Sequence, residues 1–558
     1  MKKCNERFDF HPCSFKTILV LFALIVFFNI HAQPILASPL NYVPLDHWVY
    51  PAISRLETLR AFDGNDTIAA NTLPLSRIEI AYLIDAALSN IQKGKVELKQ
   101  ADLLLMGKLV NEFQKELSVL DLDNLNPEST LKIEPYFIQK MDLLYPENIN
   151  LEKLNLLSEL GAKVSAGISE NTALYFNALA HIDYDGSSNI QEEEIPFQVQ
   201  IKQAYINLNL PSFKIAISDN VSFLPDNIGI SDFSLQVGRD YINWGPGYQG
   251  SLILSDNSPA FDMLKYSGTI DLNDSGESMA KINFTKFFSL LDSLEGENRY
   301  FSGQRLEYKP FDVLTLGLSE TAIISQESSL LFLNPLPFIP PYYLTRWIAD
   351  LLDQPSEINS YVGVDMELNF HPGIKLYGEW MADDFILTPK TNPYPNRTGF
   401  LAGVYFADPL DTGNTDFRIE YTHINNYVYF PTHPWQDYLY QGEYIGNPLG
   451  PDADQLYLEL TNRLSDKLNL SLSYTHERHG EGQTGIPLPS DPVIANEDIF
   501  LSGIIEKQQA YQAQLSYTIS PQWEILASIT RENINNKDNN MGATENNTYM
   551  QIELNYQF

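Results

Sequence analysis

The chain has 558 residues and a formal net charge of −35, an excess of carboxylates that argues against a nucleic-acid partner, whose phosphates it would repel. Its only cysteines, Cys4 and Cys13, lie at the extreme N-terminus, so the rest has no disulfide framework, no cysteine nucleophile and no cysteine metal site. The composition is 44% hydrophobic with 31 Tyr and 30 Phe, yet beyond residue 37 no run of about 18 apolar residues occurs, which excludes a membrane-spanning helix there.

Lys2, Lys3, Arg7 and Lys16 precede an apolar run from Ile18 to Ile30, with Ala32 and Ala37 after it. This is the layout of a secretory signal, expected over residues 1–37. The run is short for a retained anchor, the competing reading, although Ile30 and Ile35 fit imperfectly three residues before the two cleavage positions. Removal would take both cysteines and a surplus of two positive charges, leaving the remainder near −37. Such a surface repels acidic polysaccharide at long range, so a ligand of that kind needs a locally basic site.

Residues 41–120 read as a three-helix domain. Ala52, Ile53, Leu56 and Leu59 share one helical face. Ser76-Arg77-Ile78-Glu79 is a capping box opening a helix whose Ile80, Leu83, Ile84, Ala87, Leu88 and Ile91 recur at helical spacing. Leu105, Leu109, Phe113, Leu117 and Leu120 line a third helix, and the polar, Pro127-containing stretch 121–130 reads as a linker.

From Leu131 the period becomes two. Leu174, Phe176, Ala178, Ala180, Ile182 and Tyr184 alternate with Tyr175, Asn177, Leu179, His181 and Asp183; Val362, Val364, Met366, Leu368 and Phe370 alternate with Gly363, Asp365, Glu367 and Asn369. A soluble sandwich alternates too, but the last ten residues favour a membrane barrel. Met550, Ile552, Leu554, Tyr556 and Phe558 share one face and Gln551, Glu553, Asn555 and Gln557 the other, as in the terminal strand that outer-membrane barrels present to their assembly machinery. That strand must pair with the first so that no backbone edge meets lipid. The spacing fits roughly 16–18 strands over residues 131–558, with long loops expected at 271–278, 325–358, 385–398, 426–454 and 480–506, and a short helix over Leu344–Leu352.

Catalytic motifs are weak. Gly276-Glu-Ser278-Met-Ala280 narrowly misses G-x-S-x-G and lacks a strand-turn-helix setting. His476 and His479 do not have H-E-x-x-H spacing and read as a strand entering a loop. Asp383 and Asp384, as strand neighbours, point to opposite faces and do not form an acid–base pair by themselves. No metal or cofactor is therefore expected. Phase instead turns Arg305, Glu307, Tyr377, Glu379, Asp383, Arg418 and Glu420 inward, where such groups either pair to fill a lumen or meet sugar hydroxyls beside stacking aromatics. In the segment YINWGPGYQGSLILSDNSP (241–259), the outward phase of Phe233, Leu235 and Val237 would carry Arg239 into lipid. A bulge at Gly238, or the end of the membrane segment, is expected to redirect Arg239 and Asp240 to the lumen or rim.

Several stretches together resemble the Wzi-type capsule-assembly family of outer-membrane β-barrel lectins: NYVPLDHWVYPAISRLETL, LPLSRIEIAYLI, VGRDYINWGPGYQGSLILSDNSPAFDMLKYSG, QRLEYKPFDVLTLGLSE, FLNPLPF, LYGEWMADDF, FRIEYTHINNYVY and GNPLGPDADQLYLEL. The resemblance implies a mainly β chain, a transmembrane antiparallel β-barrel of about 18 strands in the outer membrane with a small N-terminal periplasmic α-helical bundle. It implies a non-enzymatic role in binding capsular or exopolysaccharide, with Arg239, Asp240, Trp244, Tyr248, Glu379, Asp383 and Asp384 as ligand candidates in matching motifs. Asp46-His47-Trp48-Val49 with Leu75-Ser76-Arg77-Ile78-Glu79 also resembles a single S-layer-homology module, which implies cell-wall polymer binding through Asp46, Trp48 and Arg77, although Ser76 stands where Thr is usual. The alternative on the same architecture is a porin or sugar-selective channel, and the two readings divide on whether the lumen is filled.

Overall fold

The computed structural model describes residues 38–65, 68, 70–120, 130–146, 153–185, 197–216, 227–274, 277–294, 296, 298–326, 328, 341–355, 357–384, 394–429, 434–482, 489, 491–497 and 499–557. The expected signal segment 1–37 with Cys4 and Cys13, most of the linker, Gly276, the Ser278 side chain and Phe558 lie outside them.

Eighteen antiparallel strands close into one barrel. They are β1 Thr130–Pro146, β2 Lys153–Ser169, β3 Thr172–Asp185, β4 Phe197–Asn209 continued at Phe213–Ala216, β5 Asn227–Asp240, β6 Phe261–Asp274, β7 Glu277–Leu290, β8 Arg299–Phe311 and β9 Leu314–Ser325. The second half is β10 Ile358–His371, β11 Ile374–Asp384, β12 Arg397–Ala407, β13 Thr415–Ile424, β14 Ala453–Ser465, β15 Leu468–His479, β16 Glu506–Ser520, β17 Trp523–Asn535 and β18 Thr544–Gln557. Each pairs with its neighbour in the chain, and β18 closes on β1 from Gln557↔Tyr136 to Asn547↔Pro146. Closure leaves no edge, so ladder amides are paired within the wall, as a hydrocarbon environment requires. The outward row of β18, Met550 and Ile552, is exposed as expected.

One loop assignment fails. Residues 271–274 end β6 and 277–278 begin β7, with pairing that runs to Asp274↔Glu277; two residues between paired strands leave no room for a long loop, and the Asn, Asp, Gly and Ser of this stretch are turn formers. By the rule for bacterial barrels, short turns face the periplasm and long loops the exterior.

On the short-turn end sit the helices α1 Val49–Thr58, α2 Arg77–Gln92, α3 Gln100–Glu112 and α4 Gln114–Leu120. The capping box of α2 forms as read, Ser76 accepting from the Glu79 amide and Glu79 from the Ser76 amide. The expected third helix is two, because Phe113 leaves helical geometry (φ −106°, ψ 22°) with its ring buried and the Arg77 guanidinium 4.5 Å above it. Val49, Ile53, Leu56, Ile80, Leu83, Ile84 and Leu109 form this domain's own core.

The domain is bolted to the barrel. Arg55 donates to Asp102 at 2.7 Å and to the Gly413 carbonyl at 3.0 Å, and also pairs with Asp416 at the start of β13. Lys375 bridges Glu57 at 2.8 Å and Glu367 at 3.0 Å. The Gly373 amide donates to the Thr58 carbonyl at 2.8 Å.

Candidate functional site

The outer segment after β5 turns into the lumen. Asp240 ends β5 with its carboxylate buried, accepting from Gln203 and Gln236 at 2.7 Å each and from the Tyr241 amide at 2.9 Å. Of the two expected escapes for Arg239, the bulge at Gly238 is absent and Arg239 does not enter the lumen, while the strand does end at the next residue, Asp240. Gly238 keeps regular pairing to both neighbours, so alternation persists and Arg239 stays on the outer face. Its position next to the strand end and its paired bonds to Asp262, at 2.8 and 2.6 Å, make this charge tolerable. The register shift of β5 lies between Ser231 and Ser234.

Beyond Asp240 the chain meets the helical domain inside the barrel. Asn243–Trp244 pairs with Thr72–Leu73, and the Gly245 amide donates to the Asn71 carbonyl at 2.9 Å. Gly245 (φ 120°) and Gly250 (φ 117°) hold backbone conformations that a side chain would oppose, and between them the plug exposes its amides to the wall. Glu379 on β11 accepts from Gly247 at 2.8 Å and Leu252 at 2.7 Å; Glu420 on β13 accepts from Tyr248 and Gln249 at 2.8 Å each and from the Tyr377 hydroxyl at 2.8 Å. Packed against the wall, these amides find their acceptors in the two carboxylates.

Cations complete the seal. Arg418 lies 3.9 Å from the Tyr248 ring centroid and 4.4 Å from that of Tyr405, and donates to the Tyr377 hydroxyl. Arg305, fully buried, grips Asp365 at 2.5 and 2.9 Å, Glu307 at 3.2 Å and Thr72 of the helical domain at 2.8 Å. From the outer side, residues 425–429 and 434–452 fold over the plug: Tyr438 donates to the Ile253 carbonyl at 2.8 Å, Tyr429 donates to the Leu252 carbonyl, and the two rings stack at 5.4 Å. Trp244, Leu252, Ile253, Leu254, Tyr361, Tyr429 and Tyr438 form one buried cluster within the barrel.

The candidate residues therefore separate. Asp240, Trp244 and Glu379 are buried in the seal. Asp383 is buried at the register shift between Ala382 and Asp384, 3.9 Å from Arg397, and the Asp384 side chain lies outside the described residues. Tyr248 keeps 44% of its surface exposed and faces Tyr457 at 5.8 Å. In the helical domain Trp48 and Asp46 are exposed, whereas Arg77 is engaged by Glu116 at 2.6 Å and Glu112 at 3.0 Å. His476 and His479 fall on opposite faces of β15, His479 beside Glu477. Sequence reasoning left Tyr429 and Tyr438 unmarked, since nothing local tells a loop aromatic that folds inward from one that does not.

The seal is one-sided. Inward side chains of β5–β13 are largely buried, while those of β16 and β17, such as Gln512, Gln514, Ser528 and Thr530, stay partly exposed.

A closed barrel occupied along β5–β13 by its own outer loop and carrying an N-terminal helical domain at its short-turn end is a partly plugged outer-membrane β-barrel. Residues 222–549 match the family model of the capsule assembly protein Wzi, and the chain belongs to that family. The solved structure of Wzi from Escherichia coli, described as a carbohydrate-binding β-barrel of the outer membrane involved in group 1 capsule assembly, is 15% identical, with a TM-score of 0.57 over 92% of this chain and 99% of that one. This likeness is one of fold. OpdQ of Pseudomonas aeruginosa is 9% identical over 77% of this chain and 98% of that one, with a TM-score of 0.38. Exoribonuclease 2 of Buchnera aphidicola subsp. Baizongia pistaciae (strain Bp) is 26% identical over 127 residues, 23% of this chain and 19% of that protein; the chain spans about a fifth of that relative's length.

Proposed function

We propose that this protein binds capsular or exopolysaccharide at the cell surface and supports capsule assembly or attachment there, without catalysis. The observation that carries the reading is the use made of the lumen's charges: Glu379, Glu420, Arg305 and Arg418 hold the protein's own backbone and side chains. The barrel thus supports a fixed outer face rather than a reaction centre. The carbohydrate binding described for the Escherichia coli protein of the same family gives the ligand class. Tyr248 is the sugar-stacking candidate, being an exposed ring held from behind by Arg418.

The test is a deletion strain scored for cell-attached against shed polysaccharide, with glycan-array binding by the refolded full chain. Loss of retention restored by the wild-type gene is expected, and unchanged retention overturns the reading. Tyr248→Ala should weaken glycan binding in the array while the barrel still forms. A sugar-selective channel is the second reading, favoured by the partly exposed inner wall of β16 and β17. A stable large conductance in planar bilayers would establish it. For cell-wall polymer, the exposed Trp48 is the candidate contact, tested by co-sedimentation of the protein and its Trp48→Ala variant with purified sacculi.

A further inference from the structure

The outward face of a barrel wall should be apolar, yet one row on it is not. Lys286 on β7, Gln304 on β8 and Glu320 on β9 are register partners in the same phase as Leu306, Leu318 and Val364, which face out. The three polar side chains are nonetheless fully buried. Lys286 Nζ donates to Gln304 Oε1 at 3.2 Å, and Gln304 Nε2 donates to Glu320 Oε2 at 2.6 Å.

Among the described residues, their cover includes a helix between β9 and β10. Helix α5, Tyr342–Leu351, places the Tyr342 amide 3.0 Å from Glu320 Oε2 and the Tyr342 ring 5.6 Å from Lys286 Nζ. The Tyr342 hydroxyl bonds Ser302. Tyr342 and Ala349 also pack on Ala322, Ile324 and Ile358, a cluster separate from the lumen core and on the opposite side of the wall. Helix α5 therefore lies outside the barrel, not in its mouth.

The helix has three faces. Tyr342, Thr345 and Ala349 meet the barrel and are buried. Arg346 and Asp350, four apart, are exposed along one flank. Leu344, Trp347 and Leu351 point away from the barrel, Trp347 61% and Leu351 70% exposed. A solvated helix has no use for that third face, and the wall itself turns exposed apolar residues outward, Leu290 and Val364 among them.

We propose that α5 is an interfacial helix, lying in the plane of the outer leaflet with Leu344, Trp347 and Leu351 in lipid, Arg346 and Asp350 at the water side and Tyr342 locking it to the wall. The division into barrel, water and lipid faces is that of an amphipathic helix at a membrane interface, with Trp at the boundary. It also shields the Lys286–Gln304–Glu320 row from lipid, where polar groups need partners.

The test uses the full chain with Cys4→Ser and Cys13→Ser, carrying Leu351→Cys or Trp347→Cys labelled with an environment-sensitive fluorophore. Met541→Cys, in the outer loop after β17 and 82% exposed, is the reference. In phosphatidylcholine vesicles with brominated acyl chains, the labels at 351 and 347 should be blue-shifted and lose most of their emission, while that at 541 is unaffected. Heat-modifiable migration on gels verifies the folded barrel for each variant, and Leu351→Cys decides if Trp347→Cys fails to fold. Emission at 351 matching that at 541 overturns the proposal. So does emission at 351 that bromine leaves unchanged but dilution with unlabelled protein restores, which would assign the face to a second copy.

Discussion

Glu379 and Glu420 show what single residues do here: each holds two amides of the loop that enters the lumen. Glu379→Ala orphans the Gly247 and Leu252 amides. At about 1–3 kcal/mol for each buried unpaired group, it should loosen the plug by roughly 2–6 kcal/mol, read as faster protease cleavage within 241–260 of the folded protein. Glu379→Gln, which keeps one acceptor oxygen, should be milder. His47 contributes a pH dependence. Burial first, then the nearby positive charges of Lys163 and Arg77, push its pKa from the ordinary 6.5 down to about 4, and the neutral ring accepts from the Val49 amide at 3.3 Å at the start of α1. The unfolded chain binds a proton as pH falls through 6.5 and the folded one only near 4. Stability is therefore full above 6.5, declines between 6.5 and about 4, and is flat below as far as this group is concerned. The loss is up to about 3 kcal/mol. Urea titration of the helical domain's release should show that slope, and His47→Asn should remove it.

At the scale of elements, the strands follow a local rule and their attachments do not. Period-two patterning marks β3, β10 and β18 because one side chain in two meets lipid, and Ser76–Glu79 marks the start of α2 because both capping bonds are made within four residues. The break between α3 and α4 carries no Gly or Pro; it follows the burial of Phe113 under Arg77, contacts distant in sequence. Arg55 sits on a helical stretch that reads as ordinary, yet it joins α1 to Asp102, Asp416 and Gly413. Arg55→Ala leaves the buried Asp102 carboxylate without its ion-pair partner, while Asp416 keeps Arg463 at 3.7 Å, and should cost about 3–5 kcal/mol, seen as release of the helical domain at lower urea concentration with barrel strands retained. Arg55→Lys should rescue little, since one ammonium cannot span the three partners.

For the whole molecule the consequence is a barrel sealed along β5–β13 and less tightly along β16–β17. We expect the full chain in planar bilayers to give no large, stable porin-type conductance, and deletion of residues 243–253 to raise it sharply while heat-modifiable migration is kept. The amino-acid sequence by itself determined the class of fold, the inward phase of Glu379, Arg418 and Glu420, and the family motifs, because alternation and short motifs are properties of neighbouring residues. Only the tertiary structure decided what those inward groups hold. Glu379 meets the Leu252 amide across 127 positions and Arg305 meets Thr72 across 233, and no local pattern states which loop enters a lumen. For the same reason α5 is legible as a short helix but not as one lying on the outside of the wall, since its lipid-facing side and its barrel-facing side are both apolar and differ only in what the closed barrel places against them.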